Sequence, residues 1–292
     1  MSTNQDTPRG FAFALTAYGL WGFLPFFMKA LAHIPPPEVI AHRVIWSVPI
    51  AGAVLLWRGE LSGLGSVLKQ PRNLLMGMAT ALLISVNWGI YVWAIGSGHA
   101  LDTALGYYIN PLFSVFLGAV LLGERLTRRQ IAAIALAAGA VALLTVEAGK
   151  LPLVALGLTV TWGFYAYLKR RLPIGANQGF LLEVLILTPF ALAYLVWLAV
   201  TGQSHFTTTP ADTVLLLSCG LVTAVPLMLY ANGAKGLRLS TIGILQYTSP
   251  TMILLIAIFA FHEPFGPVQM VAFPLIWSAL ALYSSAFFAR KS

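Results

Sequence analysis

The chain is a succession of apolar runs about as long as a bilayer is thick, and no other feature limits its possible folds so severely. A run of ~20 residues at 1.5 Å per residue crosses a hydrocarbon core of ~30 Å. Lipid offers no water to the backbone, so each amide must be satisfied inside its own segment, and runs this long are helices rather than barrel strands. Reading the runs against proline, glycine and charge breaks predicts ten helices, at 10–32, 38–57, 73–95, 102–122, 129–146, 151–169, 177–200, 211–232, 240–261 and 267–288. The expected fold class is an all-α polytopic membrane protein with ten transmembrane helices. Composition agrees: 9% of residues are charged and 59% hydrophobic, against about 25% charged in a soluble domain. That leaves no room for a water-facing domain. The first run is too long for a signal-peptide core and lacks a small-residue cleavage site, so it counts as helix 1.

The net charge of +8 acquires a meaning from where the basic residues fall. If the termini face the cytoplasm, Arg9, Arg58, Lys69, Arg72, Arg125, Arg128, Arg129, Lys169, Arg170, Arg171, Lys235, Arg238, Arg290 and Lys291 lie inside, and only Lys29 and Lys150 outside. This asymmetry is a strong positive-inside signal and predicts cytoplasmic termini. The basic character therefore records topology, and no nucleic-acid partner is expected. The lone Cys219 excludes an internal disulfide and any cysteine cluster for metal, and reads as a small buried hydrophobe.

The chain also repeats itself. A shift of 139 residues lays Tyr91, Tyr108, Pro111, Glu124 and Gln130 on Tyr230, Tyr247, Pro250, Glu263 and Gln269. Shifts of 141 and 140 bring Trp21-Gly22-Phe23 onto Trp162-Gly163-Phe164, and Pro49 and Trp57 onto Pro189 and Trp197. Residues 1–147 and 148–292 thus read as two five-helix repeats. Five is odd, so the second half enters the membrane from the opposite face. Inverted-topology repeats build alternating-access transporters with the substrate near the midplane.

Several stretches resemble a known family: "EVIAHRVIWS" (38–47), "NWGIYVWAIGSGHALDTALGYYINP" (87–111), "GERLTRRQ" (123–130) and "LRLSTIGILQYTSPT" (237–251). Over essentially the whole chain the sequence is similar to the RarD branch of the EamA-type permeases in the drug/metabolite transporter (DMT) superfamily. The resemblance implies a bacterial inner-membrane permease of ten helices exporting small metabolites such as amino acids, aromatic ones in the YddG-like members. The branch is also associated with chloramphenicol resistance.

Polar side chains inside such helices mark the substrate pathway. On helix 4, Tyr107, Asn110 and Ser114 lie at i, i+3 and i+7, and Pro111 frees a backbone carbonyl. Helix 9 carries the mates Gln246, Ser249 and Pro250. The expectation is that these two helices, kinked at Pro111 and Pro250, face each other across the pathway. Asn87, Tyr91 and Tyr230 join them from helices 3 and 8. Trp21 and Trp162, about ten residues into their helices, supply rings near mid-depth, whereas Trp57, Trp197 and Trp277 fit the interfacial role usual for tryptophan. Rings of this kind stack on flat solutes or hold an ammonium group.

Arg43 and Glu183 are repeat mates inside helices 2 and 7. Inversion separates them by about 12 Å in depth, so they should not pair. Either a helix-end carbonyl or a substrate carboxylate is then the expected partner of Arg43. Glu38 and His42, at i and i+4, are placed to pair with each other, and His42 or Glu183 is the candidate for proton coupling. Asp102 and Ser240 read as N-caps of helices 4 and 9, and Glu124 and Glu263 as turn or hinge contacts. The expected substrate-binding set is Trp21, His42, Arg43, Asn87, Tyr91, Tyr107, Asn110, Trp162, Tyr230, Gln246 and Ser249.

No G-x-x-x-x-G-K-[ST] loop and no paired carboxylates of a magnesium-diphosphate enzyme occur, so neither an enzyme nor a cofactor is expected. His33, His99, His205 and His262 show no metal spacing. A channel would require a ring of charges or carbonyls and gives the inversion no role. The ranking is secondary exporter, then channel-like facilitator, then membrane enzyme, with lipid and a small neutral or zwitterionic solute as partners and a monomer as the expected state. Aromatic amino acids head the substrate classes, followed by other neutral amino acids or drug-like neutral compounds.

Overall fold

Proline opens five of the helices, where its missing N–H costs nothing and its fixed φ suits the first turn. In the computed structural model, α1 spans Pro8–Ala30, α2 Pro36–Arg58, α3 Pro71–Gly96, α8 Pro210–Ala234 and α10 Pro267–Ala289. The others are α4 (Ala100–Leu122), α5 (Arg128–Ala148), α6 (Leu153–Arg171) and α7 (Ala176–Val200), with α9 described over Thr248–Leu255 and continued by a π-helical turn at Ile256–Ala260. The structure describes residues 7–60, 65, 70–122, 126–234, 237, 241–242 and 245–289, and these contain no strand. Seven of the helices are long and apolar enough to cross a membrane. The apolar stretches Leu153–Lys169, Thr248–Ala260 and Pro267–Tyr283 are shorter. The ten observed helices coincide with the ten expected ones to within a few residues, α9 apart.

Gln130 and Gln269 do the same work in both halves. Gln130 Oε1 accepts from the Thr127 N–H at 2.9 Å and Gln269 Oε1 from the Gly266 N–H at 3.1 Å, each satisfying a donor that the start of a helix leaves free. Asp102 departs from expectation: α4 begins at Ala100, and the N–H groups of Ala100 and Leu101 donate to Glu263 at 2.7 and 2.8 Å. A carboxylate arriving from beyond α9 therefore closes α4, where the helix dipole favours negative charge. Asp102 sits in the first turn and bonds His99 Nδ1 at 3.2 Å. Ser240 and Glu124 lie outside the described residues.

The helices of the two halves interleave. The principal packings across the halves are α5 with α10, α4 with α9, α2 with α7, α1 with α8, α3 with α6, α4 with α6, α1 with α9, α2 with α8 and α3 with α7. Exchanging each helix for the one five places away returns the same set. The exchange holds at residue level too. Gly22 of α1 lies beneath Met252 of α9, and their repeat mates Gly163 of α6 and Phe113 of α4 also meet. A Cβ at Gly22 would stand 2.5 Å from Met252 Sδ, and one at Gly106 would stand 2.8 Å from the Ala155 carbonyl, so these glycines let α1 approach α9 and α4 approach α6.

The prolines act less alike than their repeat positions suggest. Pro111 stands inside α4, which continues through it, while Pro250 occupies the first turn of the described α9, directly after a turn at Gln246 and Tyr247.

Candidate functional site

Among the described residues Arg43 is the one buried Lys or Arg, 4% exposed in the second turn of α2. Its Nε donates to Thr223 Oγ1 of α8 at 3.0 Å, and Thr223 passes its own hydroxyl proton to the Cys219 carbonyl at 2.7 Å. The guanidinium carbon lies 4.5 Å from the centre of the Trp88 ring on α3. The expected helix-end carbonyl is therefore replaced by a hydroxyl and an aromatic face. An arginine at depth costs roughly 2.5–3.5 kcal/mol. One hydrogen bond to a neutral group contributes about 1 kcal/mol and a cation–π contact about 0.5–2 kcal/mol. These offset much of the cost, yet Nη1 is buried without a partner.

Tyr91, one turn beyond Trp88, stacks obliquely on Tyr107 of α4 with centroids 6.0 Å apart, and its hydroxyl is also buried without a partner. Three turns of three helices thus bring Arg43, Trp88, Tyr91 and Tyr107 together. Asn110, one turn along α4 from Tyr107, is buried with its Oδ1 unpartnered. Tyr107 itself meets Tyr91 of α3. The α4–α9 contact is made by the neighbouring residue, Tyr108, whose hydroxyl meets Thr251 Oγ1 at 2.7 Å and whose ring stacks on Tyr247 at 6.4 Å. Ser114 is exposed and returns its hydroxyl to the Asn110 carbonyl at 2.9 Å. Ser249 is buried and Gln246 half-buried at the break before α9.

The remaining expected residues fall into other groups. Asn87 gives its amide to the Leu158 carbonyl at 3.1 Å and Thr161 Oγ1 at 2.8 Å, stitching α3 to α6. Trp21 packs with Tyr18 and Tyr230 in a three-ring cluster with centroids 5.6 to 5.7 Å apart. Trp162 lies 5.5 Å from Tyr165. Tyr165 in turn donates to Glu183 at 3.2 Å, and Lys169 Nζ reaches the other oxygen of that carboxylate at 2.6 Å. Lys169, the last residue of the expected sixth helix and counted among the inside cations, lies within α6, which continues to Arg171. Trp57 is 87% exposed, as its interfacial reading requires. Trp277 instead packs on Tyr108 at 6.4 Å.

Glu38 and His42 do not pair. Glu38, fully buried, accepts from the backbone N–H of His205 and contacts His205 Nδ1, both at 2.7 Å, with Ser204 Oγ at 3.4 Å. His42 Nδ1 accepts from Trp46 Nε1 at 3.0 Å, which sets its proton on Nε2, where no partner meets it. Phe206 covers the His42 ring at 5.0 Å and the Trp46 ring at 6.1 Å. A second contact, His33 Nε2 to Asp212 Oδ1 at 2.7 Å, joins the α1–α2 connection to the first turn of α8. The α7–α8 connection is therefore strapped across the N-terminal end of α2.

An EamA-like transporter family model matches residues 8–146 and again 150–285. The chain belongs to that family. Within it, similarity is high to an "Uncharacterized transporter" of Vibrio cholerae serotype O1, 41% identical over 96% of this chain and 93% of that protein. "Protein RarD" of Escherichia coli K12 is 37% identical over 96% of this chain and 95% of its own length. "Chloramphenicol-sensitive protein RarD" of Pseudomonas aeruginosa is 32% identical over 97% and 96%. A crystal structure aligns with a TM-score of 0.63 at 22% identity over 97% of each chain, a likeness of fold. These relatives and the apolar helices make the protein a multi-pass RarD-type permease of the DMT superfamily.

Proposed function

We propose that the protein is a secondary transporter of the bacterial inner membrane, with cytoplasmic termini, exporting small amphipathic metabolites by alternating access between two inverted five-helix repeats. The exchange-symmetric packing of α1–α5 against α6–α10 carries this reading. If the halves enter the membrane in opposite senses, rocking one against the other converts each contact into the environment of its mate, so two conformations of similar energy follow from one set of packings. On the topology read from the basic residues, the Glu38–His205 strap and Phe206 form the outer seal. Aromatic and other neutral amino acids are the preferred cargo, since the site offers rings, amides and one cation, with Trp21, Trp162, Tyr230, Gln246 and Ser249 bordering the path. His42 and Glu183 are the groups available for proton coupling. A drug-like neutral cargo is the second reading, favoured by the chloramphenicol phenotype in one relative's name.

Single cysteines at Gln70 and Thr201 in a Cys219→Ala background test the inversion. An impermeant thiol reagent applied to intact cells should label position 201 and spare position 70. Labelling of both from one side overturns the topology and the transport mechanism with it.

A further inference from the structure

We infer that Arg43 Nη1 and the Tyr91 hydroxyl anchor the carboxylate of the transported solute, and that Asn110 Oδ1 receives its ammonium group; the inference rests on the transporter reading. The unpaired charge supports it first. Every buried carboxylate described is already engaged: Glu38 with His205, Glu183 with Lys169 and Tyr165, and Glu263 with the amides of Ala100 and Leu101. Asp212 is bonded to His33. Among the described residues Arg43 thus has no anionic partner, and a buried unpaired charge is the costliest kind of group in a protein interior.

The direction of the unsatisfied groups is the second support. Nη1 of a guanidinium is a donor only, and a phenol beside it can turn its proton to an incoming acceptor. Thr223 takes the Nε proton and gives its own to Cys219, and Nη1 is left without a partner. Two open donors around one positive charge fit a single carboxylate. A phosphate dianion would need further cations. Asn110 Oδ1 has the opposite polarity, a buried acceptor with nothing to accept, and it lies on the same stripe of α4 as Tyr107. Donors and cation on one side with an acceptor on the other match an α-amino acid zwitterion. The faces of Tyr91 and Tyr107 suit a planar side chain. A neutral solute without a carboxylate leaves the guanidinium unpaired and is the poorer ligand.

The test uses the full-length protein purified in detergent and then reconstituted in liposomes, with L-phenylalanine, L-phenylalaninamide, 3-phenylpropionate and chloride as probes. The wild type should gain thermal stability with L-phenylalanine, less with 3-phenylpropionate, and none with the amide or with chloride. Counterflow of labelled L-phenylalanine should fall about 10- to 100-fold in Arg43→Gln, the range for losing a charged hydrogen bond, while the ligand-free variant unfolds at the same or a higher temperature. Asn110→Leu should abolish the preference for L-phenylalanine over 3-phenylpropionate. Equal stabilisation by acid and amide, a shift reproduced by chloride, or unchanged counterflow in Arg43→Gln overturns the anchor. Absence of counterflow in the wild type sinks the transporter reading instead, and the stabilisation series then decides the anchor alone: a shift with the acid and none with the amide supports it, and no shift with either overturns it.

Discussion

Arg43 and Glu183 stand at equivalent places in the two repeats, both buried within a helix, and the protein treats them in opposite ways. Glu183 has both oxygens occupied, one by Lys169 and one by Tyr165. Arg43 has one hydrogen bond, one aromatic face and a nitrogen left over. A closed ion pair holds its helices in place, whereas an open one leaves part of its desolvation cost to be recovered by something else. The difference separates a charge partnered within the protein from one kept available for a ligand.

Four sets of changes break or sharpen that contrast. The largest effect falls on the closed pair: Glu183→Ala strands Lys169 and should cost about 3–5 kcal/mol, read as a lowered denaturation midpoint. Replacing both partners by leucine should recover most of it. The open side responds in activity and not in stability, with Arg43→Gln losing transport as described above and Arg43→Lys, which keeps the charge without the planar fork, falling between. A smaller loss belongs to the strap: His205→Ala removes one contact to Glu38 and should cost about 1–3 kcal/mol, seen as faster labelling of a cysteine placed at His42 from the outer side. The smallest is at the surface. Trp57→Ala should change stability by less than about 0.5 kcal/mol, while Trp21→Ala, which empties the ring cluster with Tyr18 and Tyr230, should impair counterflow more at equal expression.

Run length, read against proline, glycine and charge breaks, made the ten helices legible, because lipid permits a continuous apolar backbone of this length to be satisfied only as a helix. The repeat marked Arg43 and Glu183 as mates, and depth alone indicated that they would not meet. Partners drawn from another helix were beyond reach. Helical periodicity names neighbours on the same helix, so it pairs Glu38 with His42, four residues away, and not with His205, whose distance along the chain is 167 residues. Lys169 closes the expected helix 151–169 and counts among the inside cations, because charge at the end of an apolar run ordinarily marks the interface. Its position one turn beyond Tyr165, on a face that could continue inward, was the available signal. Trp88 carried a signal as well, standing three residues before Tyr91 on the same side of α3. Tyr107 and Tyr108 differ by one residue and by about 100° around α4, so a stripe drawn through Tyr107 passes over Tyr108, which meets Thr251 and Tyr247 of α9.

Exchange across the membrane tests the account most directly. Liposomes holding the wild-type protein should take up labelled L-phenylalanine faster when loaded with unlabelled L-phenylalanine, with saturation, and L-phenylalaninamide inside should give no such acceleration. Uptake that rises linearly with concentration and ignores the internal solute would contradict a two-state carrier built around Arg43.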